Sequence, residues 1–518
     1  MEHHHETRFK EPIIPSGRMK ILFITAELAP FAKVGGLADV AGSLPKALQD
    51  QGHEVIIFMP GYGLLLDSPL AITSPRIEPF YVRVNHYRFV PGTLYESKFE
   101  DLTIWSVTGD VNFRRAETSP DVYSFHRDDY LYFAQAALEA CEETGWMPDV
   151  IHCHDWHTGF LPPILRTLRG EKWENIPSVF TIHNLAYQGE FGFDTLDAVG
   201  LPHDLYHPER VEAYGSVNFL KAGTAFADQV NTVSPNYAHE IQTPEFGCRL
   251  DGHMRHLHAH GRLHGILNGI DPIVWNPQTD PAIPGHYSAT DLNGKLINRE
   301  AVVARAELTP AENRPIFGMV TRLSNQKGFD LLLAAADRLF ASGASLIVQG
   351  LGDPWSAGEL RRLEAENPGR MKFFEMYDAD LAQLVYAGCD AFLMPSAFEP
   401  CGLGQMFAMR YGTVPVVRHT GGLADTVFED HNGFVFLDQT GDDFASAIER
   451  AVAIYQKPEV WQTLQLAGMT TDFGWEKSAL EYTKLYQLAI SDRKHTLAQV
   501  KSIVRCGWAA SMNPGLSC

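Results

Sequence analysis

The sequence predicts an α/β protein of two similarly built halves, each a parallel sheet with helices on both faces. Apolar runs of strand length alternate with helical stretches along most of the 518 residues. A Pro-, Asn- and Asp-rich stretch interrupts that alternation across residues 269–314, and Gly-Gly-Leu-Ala-Asp occurs at both 35–39 and 421–425. Continuous Val, Ile and Phe runs suit strands buried on both sides, as parallel strands are. The five-residue echo is too short to establish duplication, but it fits a glycine turn after a strand in each half.

In chain order, "KILFITAEL", "HEVIIFMP", "DVIHCHDW", "PSVFTIHN" and "DQVNTVS" read as strands of the first half. "PIFGMVTRL", "SLIVQGLG", "MKFFEM", "CDAFLMPS" and "GTVPVVRH" read as strands of the second. Between them, "DDYLYFAQAALEACEE" and "FDLLLAAADRLFASG" carry helical periodicity. The alternating stretch from Glu78 to Val107 reads as an antiparallel insertion, and "GWEKSALEYTKLYQLAI" as an amphipathic helix. The expected organisation is an unstructured lead-in at 1–18, a first domain at 19–268, a connection at 269–314, a second domain at 315–475, a helix at 476–490 and a tail at 491–518.

Composition narrows the function. A net charge of −21, from 63 acidic and 42 basic residues, argues against a nucleic-acid surface and against adhesion to anionic membranes. No apolar run is long enough to cross a membrane, and the first 18 residues lack the apolar core of a secretory signal. The seven cysteines are scattered without a C-x-x-C pair, which suits free thiols in a reducing compartment better than disulfides or a zinc site.

Ligands of open α/β sheets bind beyond the carboxyl ends of the strands, and several polar clusters fall there. "FAKVGGLADVAG" puts Lys33, Gly35, Gly36 and Asp39 at a strand-to-helix turn whose bare amides could face an anion. It matches neither G-x-G-x-x-G nor a P-loop. "IHCHDWHTG" brings His152, His154, Asp155, Trp156 and His157 to one strand end, where a loop of hydrogen-bonding groups is the better reading than a metal site. "FTIHNLAYQG" brings His183 and Asn184 to another. "VTRLSNQKGFD" places Arg322 and Lys327 at a helix N-terminus, where the helix dipole disfavours cations unless an anion is bound. "FLMPSAFEPCGLGQ" sets Glu399 beside the amides of Cys401, Gly402 and Leu403. A carboxylate next to outward-facing amides suits a phosphorylated sugar; capping the helix is the plainer alternative.

These stretches, with "LNGID…WNP", "RLSNQKG" and "TGGLADTV", occur in an order that resembles the starch and glycogen synthases using ADP-glucose, from about Met19 to about Ile490. The resemblance implies a GT-B architecture: two Rossmann-like domains facing across a deep cleft, with the C-terminal helix crossing back to the first. It implies transfer of glucose from ADP-glucose to the non-reducing 4-hydroxyl of an α-1,4-glucan with retention, no metal, and no cofactor besides the donor substrate. It also implies a cytosolic or plastid-stromal location, including association with polyglucan granules, and it sets no oligomeric state. By the same resemblance, His183, Arg322, Lys327, Glu399 and Asp155 carry catalysis. Lys33, Gly35, Gly36, Asp39, Trp156, His157, Asn268, Tyr377, Cys401, Gly402 and Leu403 bind substrate, with Tyr377 stacking on adenine.

Three positions depart from the resembled family: Val34 and Gly404, where threonine is frequent, and Ala397, where arginine is frequent. Phe407, where sucrose synthases carry a second glutamate, keeps the chain on the starch/glycogen side. The alternative function is a glucan-binding or granule-organising protein that has lost turnover. A dinucleotide oxidoreductase would need the missing glycine fingerprint, and UDP-glucose remains open as donor.

Overall fold

A computed structural model describes residues 17–512 other than 86, 110, 111 and 312, with side chains through residue 499. The lead-in expected at 1–18 lies outside the described residues except for its last two.

The first domain is a nine-stranded sheet in the order β12-β11-β7-β6-β1-β2-β5-β4-β3. Its strands are β1 (Lys20–Ile24), β2 (Glu54–Pro60), β3 (Ile72–Arg83), β4 (Phe89–Phe99), β5 (Leu102–Gly109), β6 (Val150–His154), β7 (Ser178–Ile182), β11 (Gln229–Thr232) and β12 (Leu263–Gly265). Short strands β8 (Glu190–Phe191), β9 (Glu212–Ala213) and β10 (Ser216–Asn218) form a separate ribbon. The central strands pair in parallel and are almost wholly buried, which their unbroken apolar runs require. The stretch expected as an insertion is continuous with this sheet: β5 pairs in parallel with β2, and β4 and β3 follow antiparallel as its edge.

The second domain holds a six-stranded sheet, all parallel, in the order β15-β14-β13-β16-β17-β18. These are β13 (Ile316–Val320), β14 (Ser345–Gln349), β15 (Met371–Phe374), β16 (Ala391–Met394), β17 (Val414–Arg418) and β18 (Phe434–Phe436). Each sheet has its own core, one around Phe23, Phe58, Phe133 and Phe180, the other around Phe317, Leu346, Leu393 and Phe444.

Two expected boundaries move. The supposed connection at 269–314 contains a helix, Asn293–Arg305, and packs into the second domain. The Lys295 ammonium, buried there, donates to the carbonyls of Ala387 and Tyr411 and to Thr413. The final helix runs from Trp475 to Met512 instead of stopping at Ile490, so the expected tail is largely helical. No glycine or proline interrupts it before Gly507. It lies against the first domain: Ala479, Tyr482, Tyr486 and Ala489 join that core, Asp492 accepts from Gln229, and Arg493 donates to the carbonyl of Glu174. Among the described residues no helix is long and apolar enough to cross a membrane.

Candidate active site

The carboxyl ends of both sheets face a cavity of about 540 Å³ between the domains. Its lining includes Gly35, Gly36, Asp39, Asp155, Trp156, His157, His183 and Asn268 from the first domain. Arg322, Lys327, Glu399, Cys401, Gly402 and Leu403 come from the second. Of the singled-out residues, Lys33, His152, His154 and Tyr377 do not line it; Tyr377 is exposed.

The glycine turn differs from the expectation in one respect. Its amides are not all bare, because Val34 and Gly35 both donate to Glu27 Oε2 at 2.8 Å. The other Glu27 oxygen accepts from the Tyr123 hydroxyl. This buried carboxyl, pushed up by burial despite those three bonds, braces the turn from beneath. The Gly36 and Leu37 amides, at the start of helix Gly36–Asp50, have no acceptor among the described residues. Lys33 Nζ lies 2.6 Å from Asp39 Oδ1; burial works against its charge, but Asp39 outweighs that and holds the ammonium above its ordinary value. A Cβ added at Gly36 would come within 3.9 Å of Leu403, so the glycine turns of the two domains face each other closely.

Strand β6 is followed by Asp155, whose φ of 54° and ψ of 178° lie in a region that non-glycine residues rarely occupy. Such a conformation costs of order 1–3 kcal/mol and persists only where its surroundings fix it. Here Asp155 N donates to Thr181 O, and Asp155 Oδ1 accepts the His183 amide at 2.7 Å. Burial pushes the Asp155 carboxyl up to about 7, against the pull of the His183 and Asn184 amides. Burial also drives His183 and His157 down to about 3, so both rings are neutral at physiological pH. His157 stacks on Tyr123 at 5.0 Å, and both its ring nitrogens are buried without a partner among the described residues. His152 is tied to Thr181 and Tyr486 rather than to a ligand cluster. Among the described residues no three His, Cys, Asp or Glu side chains converge as for a metal ion.

On the second wall, Lys327 Nζ meets Glu399 Oε2 at 2.6 Å, and Ser396 Oγ donates to the same oxygen at 3.0 Å. Glu399 therefore pairs with the lysine rather than capping the helix, and that pairing offsets one of the two cations at the N-terminus of helix Phe329–Ala341. Arg322 is exposed and has no carboxylate partner among the described residues. Gly328, between Lys327 and the helix, has a φ of +70°, and a Cβ there would come within 1.9 Å of Pro395 O. Burial raises the Cys401 thiol to about 12, so it is no nucleophile. At Gly404 a Cβ would sit 3.2 Å from Phe392 and 3.5 Å from the Tyr386 hydroxyl, so the threonine frequent there would be crowded. Asn268 Oδ1, buried in the lining, has no partner among the described residues.

Glu27, Tyr123, Tyr187 and Ser396 also line the cavity and were not singled out from the sequence, whereas Asn184 was marked beside His183. Tyr187 lies inside the stretch already marked by His183 and Asn184. Glu27 carried one signal, its place just beyond the end of β1.

Residues 20–256 match the family described as "Starch synthase catalytic domain", and residues 303–463 that described as "Glycosyl transferases group 1". The glycogen synthase of Syntrophotalea carbinolica is 41% identical over 484 residues, 91% of this chain and 99% of that protein. Glycogen synthase 1 of Methylococcus capsulatus is 41% identical over 494 residues, 91% and 97% of the two chains. The chain belongs to the glycogen and starch synthase family of glucosyltransferases. The catalytic domain of Arabidopsis thaliana starch synthase IV, solved with ADP and acarbose, superposes with a TM-score of 0.84 at 35% identity over 92% of this chain and all of that one. Sucrose-phosphate synthase of Thermosynechococcus elongatus, 20% identical with a TM-score of 0.57, shares the fold. The two facing domains are thus the GT-B architecture of this family.

Proposed function

We propose that this glucan-elongating glucosyltransferase takes ADP-glucose as donor and extends the non-reducing 4-hydroxyl of an α-1,4-glucan with retention at the anomeric carbon. One observation carries the reading. A single interdomain cavity sets Arg322 and the Lys327–Glu399 pair on one wall, opposite neutral His183 and unpartnered buried polar atoms on the other. Cations on one side suit a diphosphate, and orphaned polar atoms on the other suit sugar hydroxyls. That the starch synthase IV structure was solved with ADP and acarbose supports this choice of ligands.

In the proposed step the bond between the anomeric carbon and the phosphate oxygen breaks, its electron pair leaving with ADP. The acceptor 4-oxygen bonds to the anomeric carbon on the same face, and its proton passes to the departing phosphate oxygen. Arg322 and Lys327 stabilise the charge growing on that phosphate, joined by Lys33 and the free Gly36 and Leu37 amides as the domains close. Glu399 keeps Lys327 aligned and faces the sugar hydroxyls, beside the Cys401, Gly402 and Leu403 amides. Asp155 is a poor nucleophile, because its carboxylate is committed to the amides that begin the His183 loop. Its role is to hold that loop, with Trp156 and His157 lining the acceptor side and Tyr377 reaching the adenine. The free thiols of the described cysteines suit a cytosolic setting.

The test is incubation with ADP-glucose or UDP-glucose, with and without maltooligosaccharide, followed by ADP or UDP release and product length. ADP release that depends on acceptor and lengthens it supports the reading; glucan binding without release would favour the binding-protein alternative. Lys327→Ala should lose on the order of 10²-fold in kcat, as expected for removing one charge-stabilising group. Near-normal turnover would remove Lys327 from its assigned role.

A further inference from the structure

Behind His183 lies a column of histidines on β6. His154 is fully buried, its ring packed against Phe23 at 4.1 Å and against His152 at 4.0 Å between centroids. Its Nδ1 lies 2.9 Å from His183 Nε2, and its Nε2 is buried with no partner among the described residues.

Two neutral arrangements fit the 2.9 Å contact. In the first, His154 Nδ1–H donates to His183 Nε2, which leaves His154 Nε2 as an empty acceptor and puts the His183 proton on Nδ1. In the second, His183 Nε2–H donates to His154 Nδ1, and the remaining His154 proton must sit on Nε2, a buried N–H with no acceptor. A stranded donor is the rarer and costlier defect in protein interiors than an unfilled lone pair. The first arrangement is therefore selected by the protein around His154. His183 Nδ1 has no hydrogen-bond partner among the described residues, and His183 lines the cavity.

We propose that His154 is a positioning residue that fixes the tautomer of His183, so that His183 meets the transferred sugar as an Nδ1–H donor and has no lone pair left to serve as a base. The inference rests on the proposed glucosyl transfer and refines it. The acceptor proton cannot go to His183, which leaves the departing phosphate oxygen as its destination. The burial that keeps both rings neutral acts in the same direction.

The test is long-range ¹H–¹⁵N spectroscopy of the full-length protein labelled at histidine nitrogen, with the His183 signals assigned by their loss in His183→Ala. The expected spectrum shows protonated Nδ1 and unprotonated Nε2; an Nε2–H His183 in the wild-type protein overturns the proposal. His154→Asn, whose side-chain amide can donate from the Nδ1 position, should keep kcat within about 5-fold, whereas His154→Leu should lose about 10²-fold, chiefly in kcat rather than KM. Equal kcat values for the Leu variant and wild type, in a variant of unchanged melting temperature, also overturn it. If His154→Leu does not fold, the wild-type spectrum and His154→Asn still decide. A wild-type protein that shows the Nδ1–H signal but releases no ADP supports the tautomer and overturns the proposed transfer instead.

Discussion

His253 shows how burial sets pH behaviour one residue at a time. It sits on the helix Asp251–Ala259, away from the cavity lining, with Nε2 2.9 Å from Thr224 Oγ1. Burial first, then Lys221, Arg262 and His256 nearby, push it down from 6.5 to about 3. The unfolded chain takes up this proton near pH 6.5, but the folded protein does not until about pH 3. Unfolding therefore absorbs a proton between those values, so the contribution is complete above pH 6.5 and is lost as pH falls. Between pH 6 and 4, His253→Gln should lose less stability than wild type, by up to about 1.4 kcal/mol per pH unit, in denaturant titrations at each pH. Identical pH slopes for the two proteins would show that His253 is not held neutral. The same burial explains what was legible among site residues. Those in short polar bursts after apolar runs, such as Asp155, His183 and Glu399, could be read from position and chemistry. Glu27 and Tyr123 could not, because a glutamate bracing two amides seven and eight positions away, and a tyrosine meeting it from another turn, announce nothing by local pattern.

At the scale of elements, strands were the most legible, because a parallel strand must be apolar on both faces and so appears as an unbroken run. All ten of the quoted runs contain one of the strands from β1 to β17. The edge was harder. β3 and β4 alternate, as an antiparallel pair with one wet face does, and alternation cannot say whether such a pair stands alone or extends a larger sheet. The final helix was read short because its apolar face fades after Ile490, while its attachment continues through polar groups, Asp492 on Gln229 and Arg493 on Glu174. Hydrophobic periodicity does not register such bonds. The supposed connection failed for the opposite reason. Its Pro and Asn content marks turns, but Ile270, Ile283, Tyr287 and Val302, widely spaced along it, are buried in the second domain.

At the scale of the molecule, the Gly-Gly-Leu-Ala-Asp echo acquires a physical meaning. In both copies the first glycine's amide is taken by a glutamate, Gly35 by Glu27 at 2.8 Å and Gly421 by Glu240 at 2.9 Å. The first glutamate belongs to the same domain as its turn, but Glu240 reaches across from the first domain to the second. It also accepts from Thr420, while Asn236 N donates to Asp425 Oδ2 at 2.9 Å and Ser234 Oγ to Pro400 O at 2.8 Å. Helix Pro235–Glu240 is thus bonded directly to the loop carrying Glu399 and Cys401, and that contact joins the two halves of the site. A contact of this kind guides closure, and altering it should change kcat and KM together rather than one alone. Glu240→Ala leaves every group in the cavity lining in place yet strands the Gly421 amide. Steady-state kinetics should show kcat/KM for ADP-glucose reduced by about 10-fold, shared between the two parameters. Small-angle scattering should show a radius of gyration that contracts less than wild type when ADP and maltooligosaccharide are added. If contraction and both kinetic parameters matched wild type, the junction would be a passive contact, and closure would have to be guided by the Trp475–Met512 helix alone.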